Sequence, residues 1–151
     1  MLRELVRRLT PGSVRTSPVR QSGAIPYSIV SDRVVFLLVT SRRSGRWIFP
    51  KGSISTGHTA WDSAAKEALE EAGVIGRIDP NPVGTYQISE KGVLTDIDLY
   101  PLLVEYQQEE WQKMHQRLRH WTLLTEVRRL VDNPSIARIA SKLERQLLVR
   151  P

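Results

Sequence analysis

Three glutamates, Glu67, Glu70 and Glu71, stand at i, i+3 and i+4 in a segment whose apolar residues repeat with helical spacing. On a helix that spacing lays the carboxylates over adjacent turns of one face. Like charges so placed repel one another, and a cation relieves them. Hard divalent ions such as Mg²⁺ take oxygen ligands, and they bind through a few carboxylates together with substrate phosphates. The bland alternative is a solvated acidic face with Lys66 alongside, and the trio alone does not exclude it.

The helix that must carry this trio starts at Thr59, where Asp62 three residues later gives something like a capping box. Trp61, Ala64, Ala65, Ala68 and Ala72 form one apolar stripe, separate from the carboxylate face, and Gly73 ends the helix. Before it, Ala24–Val30 and Val34–Thr40 read as strands joined by a turn at Asp32-Arg33. Arg42–Arg46 is a polar loop, Arg46–Phe49 a short strand stopped by Pro50, and Gly52–His58 a loop. After it come strands at Val83–Ile88 and Leu94–Tyr106 with a turn around Lys91-Gly92. Pro101 donates no ladder hydrogen bond, so its strand is expected at an edge or bulged there. His120–Thr122 reads as a last strand, and Leu123–Val131 and Ser135–Leu148 as helices. The order of strands, one helix, strands and then helices predicts an α+β fold and excludes regular βαβ alternation.

Composition sets the frame. The 151 residues fit one domain, and 40% apolar with 25% charged residues excludes a wholly disordered chain. No apolar run approaches the roughly 20 residues of a membrane-spanning helix. With no cysteine, disulfides, zinc–thiolate sites and thiol nucleophiles are excluded, and a cytoplasmic location is the expectation. The formal charge of +6 comes mainly from arginine, 17 Arg to 5 Lys, which suits an anionic ligand. Five of these arginines lie in the first twenty residues, where Leu2, Leu5, Val6 and Leu9 suggest a short amphipathic turn. That segment has a faintly transit-peptide-like composition, but residues 1–22 are read as a basic, loosely docked extension and residues 23–151 as the domain.

Reading from Gly52, five residues lead to His58, seven more follow, and then come Lys66-Glu67-Ala68-Leu69-Glu70-Glu71-Ala72-Gly73-Val74. This run resembles the Nudix box, in which a glycine, a glutamate and an Arg-Glu-apolar-x-Glu-Glu-x-Gly-apolar segment stand at the same spacing. Two positions depart from it. His58 replaces the glutamate and Lys66 the arginine, a pair understood to brace the loop against the helix. Arg46-Trp47-Ile48-Phe49-Pro50-Lys51-Gly52 is similar to the strand entering the box in diphosphoinositol polyphosphate and diadenosine polyphosphate hydrolases. Val39–Arg43, and Trp111 with Arg117, Arg119, His120 and Trp121, fit the same branch. The resemblance runs from about Gly23 to Leu143.

The resemblance implies an α/β/α sandwich with a curved mixed sheet flanked by helices. It also implies hydrolysis of a phosphoanhydride in a nucleotide-derived or polyphosphorylated small molecule by metal-activated water, with Mg²⁺ or Mn²⁺ as cofactor. Glu67, Glu70, Glu71 and the Gly52 carbonyl are the implied metal ligands, and Glu70 and Glu71 the implied catalytic groups. Glu90 and Glu105 are candidate general bases outside the box. Arg42, Arg43, Arg46, Lys51, Arg117 and Arg119 are the expected phosphate binders, led by Lys51 beside the metal loop. His115 and His120 are acid–base candidates, though lone histidines are usually structural. The four tryptophans read as core or rim. A monomer or homodimer without membrane contact is expected. Two alternatives stand beside this reading: removal of pyrophosphate from RNA 5′ ends, and a catalytically silent Nudix domain that senses a nucleotide or binds a partner.

Overall fold

The structure, a computed structural model, describes residues 19–149. The expected turn at residues 2–9, like most of the basic extension, lies outside the described residues.

One eight-stranded mixed sheet is built on two long strands, β1 (Val19–Val30) and β7 (Val93–Gln107), which pair in parallel from Val19↔Thr95 to Tyr27↔Leu103. All other pairings are antiparallel. On one side, β1 meets β4 (Lys51–Ser53) through Gln21–Gly23 and β2 (Arg33–Thr40) through Tyr27–Val30. Beyond β2 lie β3 (Trp47–Ile48) and β8 (Arg119–Thr122). On the other side, β7 pairs with β6 (Gly84–Glu90) through Val93–Leu99 and with β5 (Val74–Ile78) through Leu102–Gln107. Helix α1 (Ala60–Ala72) covers one face, and α2 (Leu124–Leu130) and α3 (Pro134–Leu148) cover the other. The architecture is the expected α+β sandwich with its mixed sheet between helices.

Alternation along the strands sends side chains to two cores. Ala24, Leu37, Val39, Tyr100 and Leu102 face α1, whose Ala64, Ala68 and Ala72 are fully buried and let the helix approach the sheet closely. Ile25, Phe36, Leu38, Ile97 and Leu99 face Val127, Ile136, Ile139 and Leu143 of α2 and α3. Among the described residues no helix is long and apolar enough to cross a membrane.

Several boundaries differ from the sequence reading. β1 begins at Val19, not Ala24, because its first residues have β7 and β4 as partners. The first hairpin turns at Ser31-Asp32, both with positive φ, one residue before the expected turn. Gly52 and Ser53, expected in the 52–58 loop, join Lys51 in β4 (Lys51–Ser53), and Val74–Ile78 forms a strand that the sequence reading did not assign. Pro101 is interior, not at an edge. The Asp79 N–H donates to the Pro101 carbonyl, so the proline nitrogen turns the same way, toward the break where β6 gives over to β5. The missing donor therefore costs no ladder bond. The bulge on this strand lies further on, opposite Ile75/Gly76.

Candidate metal and phosphate site

Helix α1 delivers the carboxylates. Thr59 caps its start, with Oγ1 accepting the Asp62 N–H at 3.0 Å. Gly73 ends it at φ 68°, a left-handed cap that glycine adopts freely. The last carbonyls, which a helix leaves without partners, are met by the 108–119 segment. Lys113 N–H donates to Glu70 O, Trp111 Nε1 to Glu71 O, and Arg119 Nη1 to Ala72 O. Arg119 also lies 3.8 Å over the Trp111 ring. This clamp ties the segment to the end of α1 and brings Arg117 against Glu71.

β4 supplies the opposite wall. A Cβ on Gly52 would fall 2.7 Å from Glu67 Oε1 and closer still to its Oε2, so only glycine lets the strand pass this near the carboxylate. The Glu67 and Glu71 carboxyls stand close enough to interact, and Glu71 is only 3% exposed. Burial first, and then the Glu67 carboxyl, push the Glu71 carboxyl up to about 8. Arg117 and the Lys51 main chain pull it partly back.

Around this pair lies a cleft of about 470 Å³, lined among others by Arg42, Arg43, Lys51, Gly52, Glu67, Glu71, Glu90, Lys113 and Arg117. Lys51 Nζ is 3.1 Å from Gln21 Oε1 and 3.6 Å from Glu90 Oε2. Arg117 Nη2 is 3.6 Å from Glu71 Oε2, while its buried Nε and Nη1 have no hydrogen-bond partner among the described residues.

Three predicted residues stand elsewhere. Glu70 turns along the helix to Lys66 at 3.0 Å and does not line the cleft, because Lys66 offers it an i,i+4 partner. Arg46 pairs with Asp132 at 3.0 Å across a neighbouring pocket. Arg119 serves the end of α1, as described. Of the base candidates, Glu90 is in the cleft, whereas Glu105 is exposed and paired with Arg77. His115 is exposed, and His120 packs its ring against Trp47.

His58 and Lys66 do not brace the loop. The His58 ring meets Thr56 O and Lys66 meets Glu70. A different contact holds residues 53–58 to the helix: Ser63, 1% exposed, accepts the Ser55 N–H on Oγ at 3.0 Å. The sequence reading also passed over Gln21, Lys91 and Lys113, which line the cleft from three separate elements. No local spacing connects these three residues.

Two carboxylates apposed in a cleft, one of them buried, beside a glycine strand, form a hard-oxygen donor set that fits Mg²⁺ or Mn²⁺. No group of three His, Cys, Asp or Glu side chains gathers around one point among the described residues. Such an ion would therefore complete its shell with main-chain, water and substrate oxygens.

The family model for the NUDIX domain matches residues 24–142. Among curated relatives, "Nudix hydrolase 17, mitochondrial" of Arabidopsis thaliana is 32% identical over 115 residues, 70% of this chain and 63% of its own length. "Nudix hydrolase 4" of the same plant is 31% identical over 121 residues, 74% of this chain and 58% of its own. The chain thus spans less than two thirds of the length of these relatives. Among solved structures, a Caenorhabditis elegans Ap4A hydrolase has a TM-score of 0.68 at 22% identity, covering 87% of this chain and 99% of that one. The NUDIX domain of Shewanella oneidensis NrtR complexed with ADP ribose has a TM-score of 0.70 at 15% identity, covering 89% and 92%. These structural likenesses establish the fold.

Proposed function

The chain belongs to the Nudix family, and from that premise we propose that it is a Mg²⁺- or Mn²⁺-dependent hydrolase of a phosphoanhydride in a phosphorylated small molecule, acting in the cytoplasm. The observation that carries this reading is the buried Glu71 beside the half-buried Glu67, set against Gly52 beneath a cationic rim. Bound there, a divalent ion lowers the pKa of a water nucleophile and offsets charge on the phosphoryl oxygens.

The chain's own residues supply the rest. Glu67 and Glu71 hold the ion, with the Gly52 carbonyl as the ligand that the family pattern implies. Lys51, Arg42 and Arg43 neutralise the phosphates from one wall, and the Arg117 guanidinium adds its charge from the other. Glu90 is the carboxylate in the cleft left for general-base work, and its neighbours Lys51 and Gln21 hold it in place. Glu70, paired with Lys66, is left to tune the charge of the helix face. Its likeness to a set of Nudix hydrolases and to an Ap4A hydrolase supports this class of reaction.

The test is a metal-dependent product-release screen over nucleoside diphosphate sugars, dinucleoside polyphosphates, diphosphoinositol polyphosphates and triphosphorylated RNA. Turnover that needs Mg²⁺ or Mn²⁺, falls at least tenfold in Lys51→Ala and is unchanged in Lys142→Ala supports the reading. Equal effects of the two changes would remove phosphate from this cleft. No turnover of any compound would favour the silent binding module.

A further inference from the structure

Helices α2 and α3 meet at a groove of about 600 Å³ that shares none of its described lining residues with the carboxylate cleft. Arg128 lines it from α2, and Arg138 and Arg145 line it from α3. None of these arginines has a carboxylate partner among the described residues. The adjacent Arg129, by contrast, is paired with Glu126. Asp132 is the acid among the described lining residues, and Arg46 already holds it at 3.0 Å. The first turn of α3 offers no other acid. Like charges gathered in a concave surface repel one another and raise the local concentration of anions. Two of the guanidiniums are also held in place, by hydroxyls and not by carboxylates. Arg138 Nη2 donates to Ser135 Oγ at 2.8 Å, and Arg145 Nη1 to Ser141 Oγ at 2.9 Å. A hydroxyl orients a guanidinium without cancelling its charge, and it leaves the other N–H groups for a ligand.

We propose that this groove is a second anion site, distinct from the carboxylate cleft, that takes a small molecule carrying at least two phosphate groups. The inference goes beyond the hydrolase reading and does not rest on it. Arginine meets phosphate through paired N–H groups, which gives geometry as well as charge. Arg138 and Arg145 are two turns apart on α3, roughly 10 Å along its axis, with Ser141 between them. Guanidiniums rooted that far apart, with Arg128 joining them from α2, suit charge spread over more than one phosphate. The volume lies within the roughly 300–1,000 Å³ usual for small-molecule sites. Val131, Pro134 and Ala137 supply the apolar lining, and no aromatic ring among the described residues does so. A base finds no stacking platform there, so the phosphates are what the groove selects. Toward Leu148 the adjoining surface brings in Asp32 and Glu144, which more than offset Arg33. The cationic stretch is therefore short, the length of a compact ligand and not of a nucleic-acid strand.

The experiment is calorimetry with inorganic pyrophosphate in metal-free buffer at physiological salt, where the carboxylate cleft has no ion to draw phosphate. The parent protein is expected to bind pyrophosphate at one site, and more tightly than orthophosphate. Arg138→Gln with Arg145→Gln should weaken that binding at least tenfold, as for lost charge-assisted hydrogen bonds. Lys51→Ala, in the carboxylate cleft, should change it less than twofold. Arg138→Lys with Arg145→Lys keeps the charge but loses the paired N–H groups, and it should recover only part of the loss. Both positions are exposed, so these variants should fold. Pyrophosphate should raise the unfolding midpoint of the parent and not that of the glutamine double variant. Turnover enters none of these measurements, so failure of the hydrolase reading would leave them standing. Absence of pyrophosphate binding by the parent overturns the site. So does a loss in Lys51→Ala as large as in the glutamine pair, which would put the anion in the carboxylate cleft. Full recovery in the lysine pair overturns it as well, leaving only a diffuse positive field. A single-stranded oligonucleotide without terminal phosphate that binds through the same arginines more tightly than pyrophosphate would make this face a nucleic-acid surface instead.

Discussion

Arg117 and Glu71 face each other at 3.6 Å in the interior, with side chains only 10% and 4% exposed. The two come from a loop and a helix 46 positions apart in the chain, and the contact does not fully neutralise the carboxyl. Burial and the Glu67 neighbour outweigh the guanidinium, so without a cation Glu71 stays up at about 8. A protein that holds a proton on this pair when metal-free, and releases it to an ion, has metal affinity that rises with pH.

The sign of the stability effect follows. Between the ordinary 4.5 and about 8, the native state binds a proton on Glu71 that the unfolded chain has released. The stabilisation from the raised pKa is complete below about 4.5 and is lost progressively as pH rises to about 8. In a chelator, the midpoint of thermal unfolding should therefore fall across this window relative to Glu71→Gln, which has no such proton to lose. Mg²⁺ should restore the parent most at the alkaline end. Parallel pH profiles for parent and variant would show that Glu71 titrates normally.

Glu71→Gln also tests the metal site directly. The change keeps the size and removes the charge, so Mg²⁺ affinity and turnover should fall together, turnover by at least a hundredfold. In metal-free buffer at pH 8 the variant should be as stable as the parent or more so, because a buried carboxylate and its repulsion with Glu67 are gone. Titration with Mg²⁺ alongside the turnover assay checks both. Unchanged Mg²⁺ binding and turnover would leave the glutamates as an acidic face.

The loop brace gives a third prediction. Ser63→Ala leaves the half-buried Ser55 N–H without its acceptor, a loss of about 1 kcal/mol. The Mg²⁺ concentration for half-maximal activity should rise several-fold with a smaller change in kcat, and amide exchange across residues 54–58 should quicken. His58→Glu with Lys66→Arg, which restores the family's pair, should rescue part of the loss. If Ser63→Ala leaves metal dependence and exchange unaltered, something other than Ser63 holds the loop.

Much of this site was legible in the sequence because its signals are local. The capped helix, the alanine stripe and the Glu67/Glu71 spacing each depend on one element's own periodicity. Gly52 entered through the family spacing that links it to the helix. Contacts between elements were not legible. Nothing in the residues near Glu70 says that Lys66 will capture it, because a carboxylate at that spacing serves a metal or a lysine equally well. Arg119 and Arg117 are two residues apart, yet one closes the end of α1 and the other reaches the cleft. Gln21 fell in the expected extension, since a strand's first residues carry no signal until β4 and β7 are placed beside them.

The closest approach in the site offers the last prediction. Gly52 passes so near Glu67 that an added Cβ would overlap its carboxylate, and the overlapped atoms are the far end of a flexible side chain. Gly52→Ala should therefore displace the carboxylate more than the fold. The Gly52 conformation is not left-handed, so alanine brings no backbone strain of that kind. The unfolding midpoint in chelator should stay within a few degrees of the parent. Mg²⁺ affinity should drop at least tenfold, because Glu67 swings away from Glu71 and one of the two carboxylates leaves the ion. The Glu71 carboxyl should move back down at the same time, since the Glu67 carboxyl helps to raise it. The pH dependence of stability in chelator should flatten accordingly. If Gly52→Ala unfolds the protein, the glycine serves the strand. If it leaves Mg²⁺ affinity and the pH profile intact, the Glu67–Glu71 pair does not hold the ion.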